Sequence, residues 1–360
     1  MQDFAGGGTE RVAVRLANQW AKAGRGVRIF CGSEEGPTRA MVDPSITVEQ
    51  ADPPLPRGPL SRIWLGFALA RVAARVQADV IWAPGNFHIL ALAAFALRNG
   101  SAAATFCKIS NPLVRRDRRG PAAWLRRLTL KLLTARIDTL VAMSPALQKE
   151  AETLFARERV ASQWEPIFDS SVMRKDAIER EPGLVIAAGR LEPQKNFELA
   201  ITAMARLPAA SGIRMIILGE GSERPRLTQL IADLGLQKRV LLAGHVRDIR
   251  PWLRRAACFL MTSRYEGYPA ALVEAVVSGA PVLVTPCSPA LAEIVPADGQ
   301  TQIVQADADA IAKALLELID RPYMPPDASP LMSRHDEHYC ATSYLALLDR
   351  RLAQKRGRPV

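Results

Sequence analysis

The sequence predicts an α/β protein with a parallel sheet in each of two domains. Short apolar runs alternate with amphipathic helical segments along most of the chain, which is the pattern of consecutive strand–helix–strand units. With 360 residues, 49% of them hydrophobic, the chain is large enough for two cores. Glycine-containing turns follow several of the apolar runs, so ligand-binding loops are expected at the carboxyl ends of the strands.

The N-terminal domain is predicted to span residues 1–165 and to open on a glycine-rich loop. Gly6, Gly7 and Gly8 lead into an amphipathic helix, for which Thr9 is the expected cap. Residues 43–59 are interpreted as a proline-rich connector. Strands are expected at residues 27–31, 79–83, 102–107 and 139–142, with helices at 60–76, 87–98 and 144–155.

The C-terminal domain is predicted to span residues 170–330 and to repeat this architecture. Strands are expected at residues 184–188, 215–218, 240–243, 258–262 and 282–285, with a weaker one at 302–304. Residues 331–360 are predicted to form a final helix, from about 336 to 355, with a basic tail. We expect this segment to pack back on the N-terminal domain.

Composition excludes several classes of protein. The five cysteines include no Cys-x-x-Cys pair, which favours reduced structural thiols in a cytoplasmic protein. The four histidines form no metal-ligand motif. No stretch reaches the roughly 18 apolar residues that a membrane-spanning helix needs.

The segment 113–136 is strongly basic, with eight of the 47 basic residues and one acidic residue, Asp117. Trp124, Leu125, Leu128 and Leu132 interleave with its basic residues at helical spacing. Such a helix either docks on an anionic membrane surface or packs on its own domain with solvated arginines. Both interpretations stay open, and no nucleic-acid partner is expected.

The most informative stretch runs from Arg264 to Pro281 and holds two carboxylates. Glu266 falls in a predicted strand-to-helix turn, and Glu274 lies within the helix that follows. Pro269 suits the first position of this helix, and Gly279 ends it. Carboxylates at this edge of a sheet can accept hydrogen bonds from ligand hydroxyls, although solvated surface glutamates are the competing interpretation.

Three further turns are predicted at the same edge. The turn after residue 188 carries Arg190 and Lys195, which together can neutralise a diphosphate. Gly219, Gly221 and Gly244 mark the two others. Cationic, glycine and carboxylate groups at one edge suit a ligand with both phosphates and sugar hydroxyls, such as a nucleotide-sugar.

The motifs Gly189-Arg-Leu, Lys195-Asn, Gly219-Glu-Gly, Gly244 and Glu266-x7-Glu274 resemble those of family 4 glycosyltransferases. The resemblance covers nearly the whole chain. It implies the GT-B fold, in which two Rossmann-like, doubly wound domains face a central cleft and the C-terminal one holds the donor. It also implies sugar transfer with retention, with a nucleotide-diphosphate sugar as co-substrate and no metal or other cofactor.

The resemblance also implies roles for individual residues. Arg190, Lys195 and Glu266 would form the catalytic set, in which the two cations hold the diphosphate and Glu266 contacts the donor sugar. Glu274 would bind the ribose. The remaining donor-binding residues would be Gly7, Gly8, Gly189, Gly219, Gly221, Gly267 and Tyr268.

The chain departs from the family pattern on the acceptor side. Many relatives have a histidine after the strand matching residues 102–106, where this chain has Cys107 and Lys108. Lys108, Asn111 or His88 would then supply the polar group, although a helix-cap or surface role is expected for His88.

A second departure is that family members begin with a strand ahead of the glycine loop. Only four residues precede Ala5 here. We therefore expect the reading frame to continue upstream of Met1 and to encode that strand, since a sheet without it would keep a gap.

The leading hypothesis is a retaining glycosyltransferase acting on a glycan or lipid-linked acceptor in cell-surface polysaccharide synthesis. It would work in the cytoplasm or at the inner face of the membrane. The alternatives are a non-catalytic nucleotide-sugar-binding protein, a defective transferase and a GT-B sugar-nucleotide epimerase. A dinucleotide oxidoreductase is disfavoured because neither glycine loop has the Gly-x-Gly-x-x-Gly pattern after a strand.

Overall fold

The computed structural model describes residues 1–58, 60–98, 103–113, 120–169, 180–295, 301–319, 321 and 327–357. For residues 98, 122 and 123 it describes the backbone alone. The chain divides into two compact units. Unit 1 comprises Met1–Ser171 and Arg334–Val360, and unit 2 comprises Val172–Ser333.

Unit 1 contains two separate parallel sheets. The first pairs β1 (Arg28–Cys31) with β2 (Thr47–Gln50). The second has the order β3 (Val80–Ala83), β4 (Ala104–Ile109), β5 (Thr139–Ala142) and β6 (Val160–Ser162). Its helices are α1 (Gly8–Lys22), α2 (Ser61–Arg75), α3 (Ile89–Arg98), α4 (Pro121–Thr134), α5 (Pro145–Glu152) and α13 (Glu337–Lys355).

The four strands predicted in unit 1 are present within about two residues of the expected bounds, and two further strands were missed. The prediction of a connector over residues 43–59 is wrong in part, because β2 lies within it. All four residues of β2 are at least partly exposed, so no apolar alternation marks the strand. Residues 1–5 form no strand, and the carbonyl groups of Met1 and Gln2 instead accept hydrogen bonds from the Gly32 N–H.

Helices α1 and α13 cover one face of the four-stranded sheet through an aromatic cluster. The rings of Trp20, Trp82 and Tyr344 meet edge to face, with centroids 5.5–6.1 Å apart. The Trp20 indole N–H also donates to the Ala341 carbonyl oxygen at 3.2 Å. Edge-to-face aromatic pairs add to the stabilisation from buried area, so α13 is held firmly against α1.

Unit 2 contains one six-stranded parallel sheet. Its strands are β7 (Leu184–Ala188), β8 (Arg214–Leu218), β9 (Val240–Gly244), β10 (Cys258–Met261), β11 (Val282–Val284) and β12 (Thr301–Ile303). The order across the sheet is β12-β11-β10-β7-β8-β9. The chain thus adds β8 and β9 on one side of β7 and then returns to place β10 on the other. This reversal between β7 and β10 is the topological switch point, where open parallel sheets bind ligands.

Helices cover the sheet of unit 2. They are α6 (Phe197–Arg206), α7 (Arg224–Asp233), α8 (Arg250–Arg255), α9 (Ala270–Val277), α10 (Leu291–Ile294) and α11 (Ala308–Ile319), with α12 (Ser329–His335) at the boundary of the units. The central strand β7 is buried at every position. Strands covered on two faces read as continuous apolar runs, which explains why the sequence predicts this unit well.

All five cysteines are free and buried. Burial raises the pKa of Cys107 and of Cys258 to about 12, so both thiols stay protonated and unreactive at neutral pH. Among the described helices, none has the length and apolar character needed to cross a membrane.

Candidate functional site

The glycine turns after β7, β8 and β9 form a continuous backbone floor at the carboxyl edge of the unit 2 sheet. The Gly189 N–H donates to the Leu218 carbonyl oxygen at 3.0 Å, and the Gly219 N–H donates to the Gly244 carbonyl oxygen at 2.7 Å. A Cβ atom on Gly219 would lie 1.8 Å from the Gly189 carbonyl oxygen, and φ is +153° there. Only glycine fits, which is why the sequence marks this edge with glycines.

Lys195 and Glu266 meet across the switch point. The Lys195 Nζ lies 2.6 Å from the Glu266 Oε1, which also accepts from the Ser263 hydroxyl at 2.7 Å. The Gln194 Nε2 donates to the Glu266 Oε2 at 3.3 Å. Glu266 is 6% exposed, and a buried carboxylate needs such partners. The turn after β7 and the turn after β10 are therefore joined by an ion pair whose carboxylate is buried and whose ammonium group is partly buried.

Backbone contacts fix the position of this ion pair. The Glu266 N–H donates to the Cys287 carbonyl oxygen at 2.8 Å, and the Ser288 hydroxyl donates to the Gly267 carbonyl oxygen at 2.6 Å. The Arg264 N–H donates to the Gln194 carbonyl oxygen at 2.9 Å. Three successive turns thus hold one another, which makes the arrangement rigid before any ligand binds.

Arg190 lies in the same turn as Lys195, but the two side chains have different surroundings. Its side chain is exposed, and it makes no ion pair or hydrogen bond with any residue that the structure describes. Such a guanidinium is available to an anionic ligand at the carboxyl edge of β7.

Glu274 and Tyr268 lie on the segment that follows β10. Glu274 is half-buried on α9, and its charge contributes, after that of Asp248, to raising the pKa of Arg250. Tyr268 is buried in the turn. The helix begins at Ala270 with Pro269 as its N-cap, so the expectation of Pro269 at the first helical position is wrong by one residue.

The glycine loop of unit 1 leads directly into α1. Gly7 is the N-cap and Gly8 the first helical residue, with no side chain capping the first turn. The predicted cap, Thr9, is wrong because the helix begins two residues earlier than a Thr9 cap requires. The N–H groups of this first turn have no side-chain acceptor and can meet a ligand.

Of the residues suggested for the acceptor side, Lys108 has another partner. It is 1% exposed, and its Nζ lies 2.8 Å from the Glu165 Oε2. Sequence reasoning missed Glu165 because it stands at the end of the predicted N-terminal domain, where no strand or helix was expected. The position of Asn111 is held by its own carbonyl oxygen, which accepts from the Asn86 side chain at 2.7 Å.

His88 is neither a helix cap nor a surface residue, which corrects the expectation for it. It lies just before α3 and is 7% exposed. Its ring nitrogens make no well-aligned hydrogen bond within the described residues, although the Gly85 backbone interacts with the ring. Burial, and then the charge of the Met1 amino group, lower the pKa of His88 to about 3. The imidazole is therefore neutral at physiological pH.

Within the described residues no three His, Cys, Asp or Glu side chains converge as a metal site requires. Metal independence stays a prediction.

The fold class is that of the GT-B glycosyltransferases. The structure of Anabaena HepE in complex with UDP and glucose matches 97% of this chain and 98% of its own, with a TM-score of 0.78 and 17% identity. This likeness confirms the predicted fold.

Two family descriptions match the sequence itself. "Glycosyl transferase 4-like domain" matches residues 7–162, and "Glycosyl transferases group 1" matches residues 182–321. The chain therefore belongs to the glycosyltransferases, and its assignment to the retaining family 4 by the Glu266-x7-Glu274 motif stays a prediction.

Similar curated proteins act in bacterial glycan synthesis according to their names. The "Lipopolysaccharide core biosynthesis glycosyltransferase LpsE" of Rhizobium meliloti is 38% identical over 102 residues, which is 28% of this chain and 29% of LpsE. A Campylobacter jejuni protein is 33% identical over 101 residues, or 28% of this chain and 27% of its own. It is named "N-acetylgalactosamine-N,N'-diacetylbacillosaminyl-diphospho-undecaprenol 4-alpha-N-acetylgalactosaminyltransferase". Each match spans less than a third of the relative.

Proposed function

We propose that the protein transfers a sugar from a nucleoside-diphosphate sugar to a glycan or lipid-linked acceptor, with retention of configuration. The observation that carries this proposal is the Lys195–Glu266 pair, buried at the switch point of a glycosyltransferase-family unit. It places a cation and a carboxylate side by side on a glycine floor, where one ligand with phosphates and hydroxyls can contact both.

The donor's diphosphate is assigned to Arg190 and Lys195. An ammonium group has three donors, and the described contacts of Lys195 Nζ use one of them, on Glu266. The rest can reach phosphate oxygens, together with the exposed guanidinium of Arg190. Glu266 is held in place by its donors and accepts from a sugar hydroxyl, while Glu274 accepts from the ribose.

In the proposed reaction the bond between the sugar C1 and the diphosphate oxygen breaks, and its electron pair leaves with the diphosphate. The acceptor hydroxyl oxygen bonds to C1 on the same face, and its proton passes to the departing phosphate oxygen. Arg190 and Lys195 stabilise the charge that develops on the leaving group.

We propose in addition that the protein docks peripherally on an anionic membrane surface. The matched relatives are named for lipopolysaccharide and undecaprenol-linked products, so an acceptor at a membrane is consistent with them. On α4, Trp124, Leu125 and Leu132 are 65%, 58% and 69% exposed, beside the exposed Arg127 and Lys131. The apolar side chains would enter the interface and the cations would meet anionic headgroups. The arginines at 115, 116, 118 and 119 lie outside the described residues.

Vesicle co-sedimentation tests the docking surface. We expect binding that needs acidic lipid, weakens with salt, and falls at least several-fold in a Trp124→Ser/Leu132→Ser variant. Leu241→Ser is the matched control, since Leu241 is 56% exposed but lies on β9 of unit 2. Binding that ignores lipid charge and salt, or falls equally in the control, would contradict the assignment.

Incubation with a panel of nucleotide-sugars, followed by proton NMR, tests the activity. The proposal expects slow donor hydrolysis without an acceptor, with the donor's own anomer released first. Tight nucleotide-sugar binding without turnover, with any acceptor extract, would instead identify a non-catalytic binding protein. Release of the opposite anomer would overturn retention.

A further inference from the structure

Unit 1 contains a cationic cluster of its own, at the carboxyl edge of β3. The guanidinium carbon of Arg62 lies 3.7 Å from the centroid of the Phe87 ring, and that of Arg57 lies 5.6 Å from it. Arg57 is neutralised, because it donates to Asp3 at 2.8 Å and to Glu10 at 3.3 Å. Stacking on an aromatic face holds a guanidinium flat and leaves its edge N–H groups for a ligand.

Arg62 differs from Arg57 in having no counterion. No carboxylate of the described chain lies within ion-pair distance of Arg62, and its buried Nε has no hydrogen-bond partner. Burial, followed by the charge of Arg57, lowers the pKa of Arg62. A half-buried guanidinium without a counterion is unfavourable by itself, so this position favours an anion.

His88 adds a second, independent signal at the same place. Its ring packs edge to face on Phe87, with centroids 5.4 Å apart, and the residue is only 7% exposed. A neutral imidazole has one donor and one acceptor nitrogen. The Gly85 backbone interacts with the ring, and within the described residues no other hydrogen-bond partner lies at its nitrogens. A buried nitrogen without a well-formed hydrogen bond is unfavourable, so this position favours a polar ligand.

We infer that Arg62 and His88 bind the phosphate group of a phosphorylated acceptor, with the imidazole also meeting a neighbouring hydroxyl. The inference rests on the proposed transferase function, since it assigns an acceptor chemistry to that reaction. It places the anion on unit 1 side chains that are distinct from the donor-binding residues of unit 2.

Histidine-labelled protein comprising all 360 residues allows a direct test by NMR, because the chain has only four histidines. Methyl phosphate is the probe, and His88→Gln assigns the signal. We expect a saturable shift of the His88 imidazole with methyl phosphate and none with neutral methyl glucoside. Arg62→Gln should weaken this binding about tenfold or more, as for the loss of a charge-assisted hydrogen bond. Arg62→Lys, which keeps the charge but loses the planar stacking, should weaken it less.

Arg71→Gln is the matched control, because Arg71 lies on the same helix, α2, and is exposed. It should leave the affinity unchanged, and thermal melts should show all variants folded. An equal effect of Arg71→Gln, or no response of His88 to methyl phosphate, would overturn the inference. A response to sulfate that is equally strong and survives Arg62→Gln would identify an adventitious ion only.

Two further experiments distinguish a phosphorylated acceptor from the other phosphate-containing ligands, UDP and lipid headgroups. If UDP displaces methyl phosphate and binds more weakly to Arg62→Gln, the cluster serves the donor and the inference is wrong. If anionic vesicles shift His88 and methyl phosphate does not, the cluster binds lipid headgroups and the inference is again wrong. UDP binding to the unaltered chain is measured in the same series. Its absence would count against the proposed function, whereas its presence without methyl phosphate binding would refute the acceptor site alone.

Discussion

Replacing Lys195 with Met removes the cation from a carboxylate that is almost completely buried. Glu266 is 6% exposed and lies 2.6 Å from the Lys195 Nζ. Breaking a fully buried ion pair costs about 3–5 kcal/mol. The Lys195 side chain is 18% exposed, and Glu266 keeps donors from Ser263 and Gln194. We therefore expect a loss in the free energy of unfolding of about 2–3 kcal/mol, which is below the range for a fully buried pair.

A double-mutant cycle isolates the interaction energy between Lys195 and Glu266 from the other effects of each substitution. Glu266→Gln keeps the side-chain shape and leaves a lysine that can reach solvent, so a loss of about 1 kcal/mol is expected. Lys195→Met/Glu266→Gln carries no unpaired buried charge, so the two losses should not add, with a coupling of about 1–2 kcal/mol. Lys238→Met is the matched control, since Lys238 is exposed just ahead of β9, at the opposite edge of the sheet.

Urea unfolding read by hydrogen exchange and mass spectrometry measures these values for unit 2 alone. Peptide resolution is needed because the two units need not unfold together. Losses that add to within about 0.5 kcal/mol would show that the pair does not form in solution. The site described here would then lose its central contact.

Two further predictions concern each unit separately. Gly219→Ala should destabilise unit 2 by clearly more than Gly235→Ala, because a Cβ on Gly219 would meet the Gly189 carbonyl oxygen at 1.8 Å whereas Gly235 faces open space. Equal melting temperatures would contradict the backbone floor. Burial lowers the pKa of His88 to about 3 and that of His335 to about 4, below the roughly 6.5 of an unfolded chain. Protonation thus favours unfolding, so the stability of unit 1 should be complete above pH 6.5 and fall as the pH drops toward 4. Urea midpoints for unit 1 peptides that stay constant from pH 7 to pH 4 would refute this.

The sequence predicted the sheet of unit 2 well because strands buried on two faces appear as continuous apolar runs. Strand β7 was predicted at its observed bounds, Leu184–Ala188, and all five of its residues are buried. Strand β2 was missed for the opposite reason, since Thr47–Gln50 is partly exposed and pairs only with β1. The pairing of a partly exposed strand depends on residues distant in sequence, so it leaves little hydrophobic alternation in the strand itself.

The candidate site could likewise be predicted only in part. Glycines and charges at strand ends predicted which turns of unit 2 carry the polar groups, because parallel strands end at one edge. The partners of those groups could not be predicted. Glu165 and Lys108 are 57 residues apart and become an ion pair only through tertiary folding. His88 had no visible signal of burial, since its surroundings come from other segments, including Arg62 on α2.

Calorimetry with nucleoside diphosphates and their sugar conjugates tests the central claim most directly. At least one nucleotide-sugar should bind the full chain, and Arg190→Gln and Glu274→Gln should each weaken that binding by about 1.5–3 kcal/mol, roughly 10- to 150-fold in Kd. Lys238→Gln, at the far edge of the same sheet, should leave it unchanged. Affinity that is the same in all three variants would contradict a donor site at the carboxyl edge of unit 2.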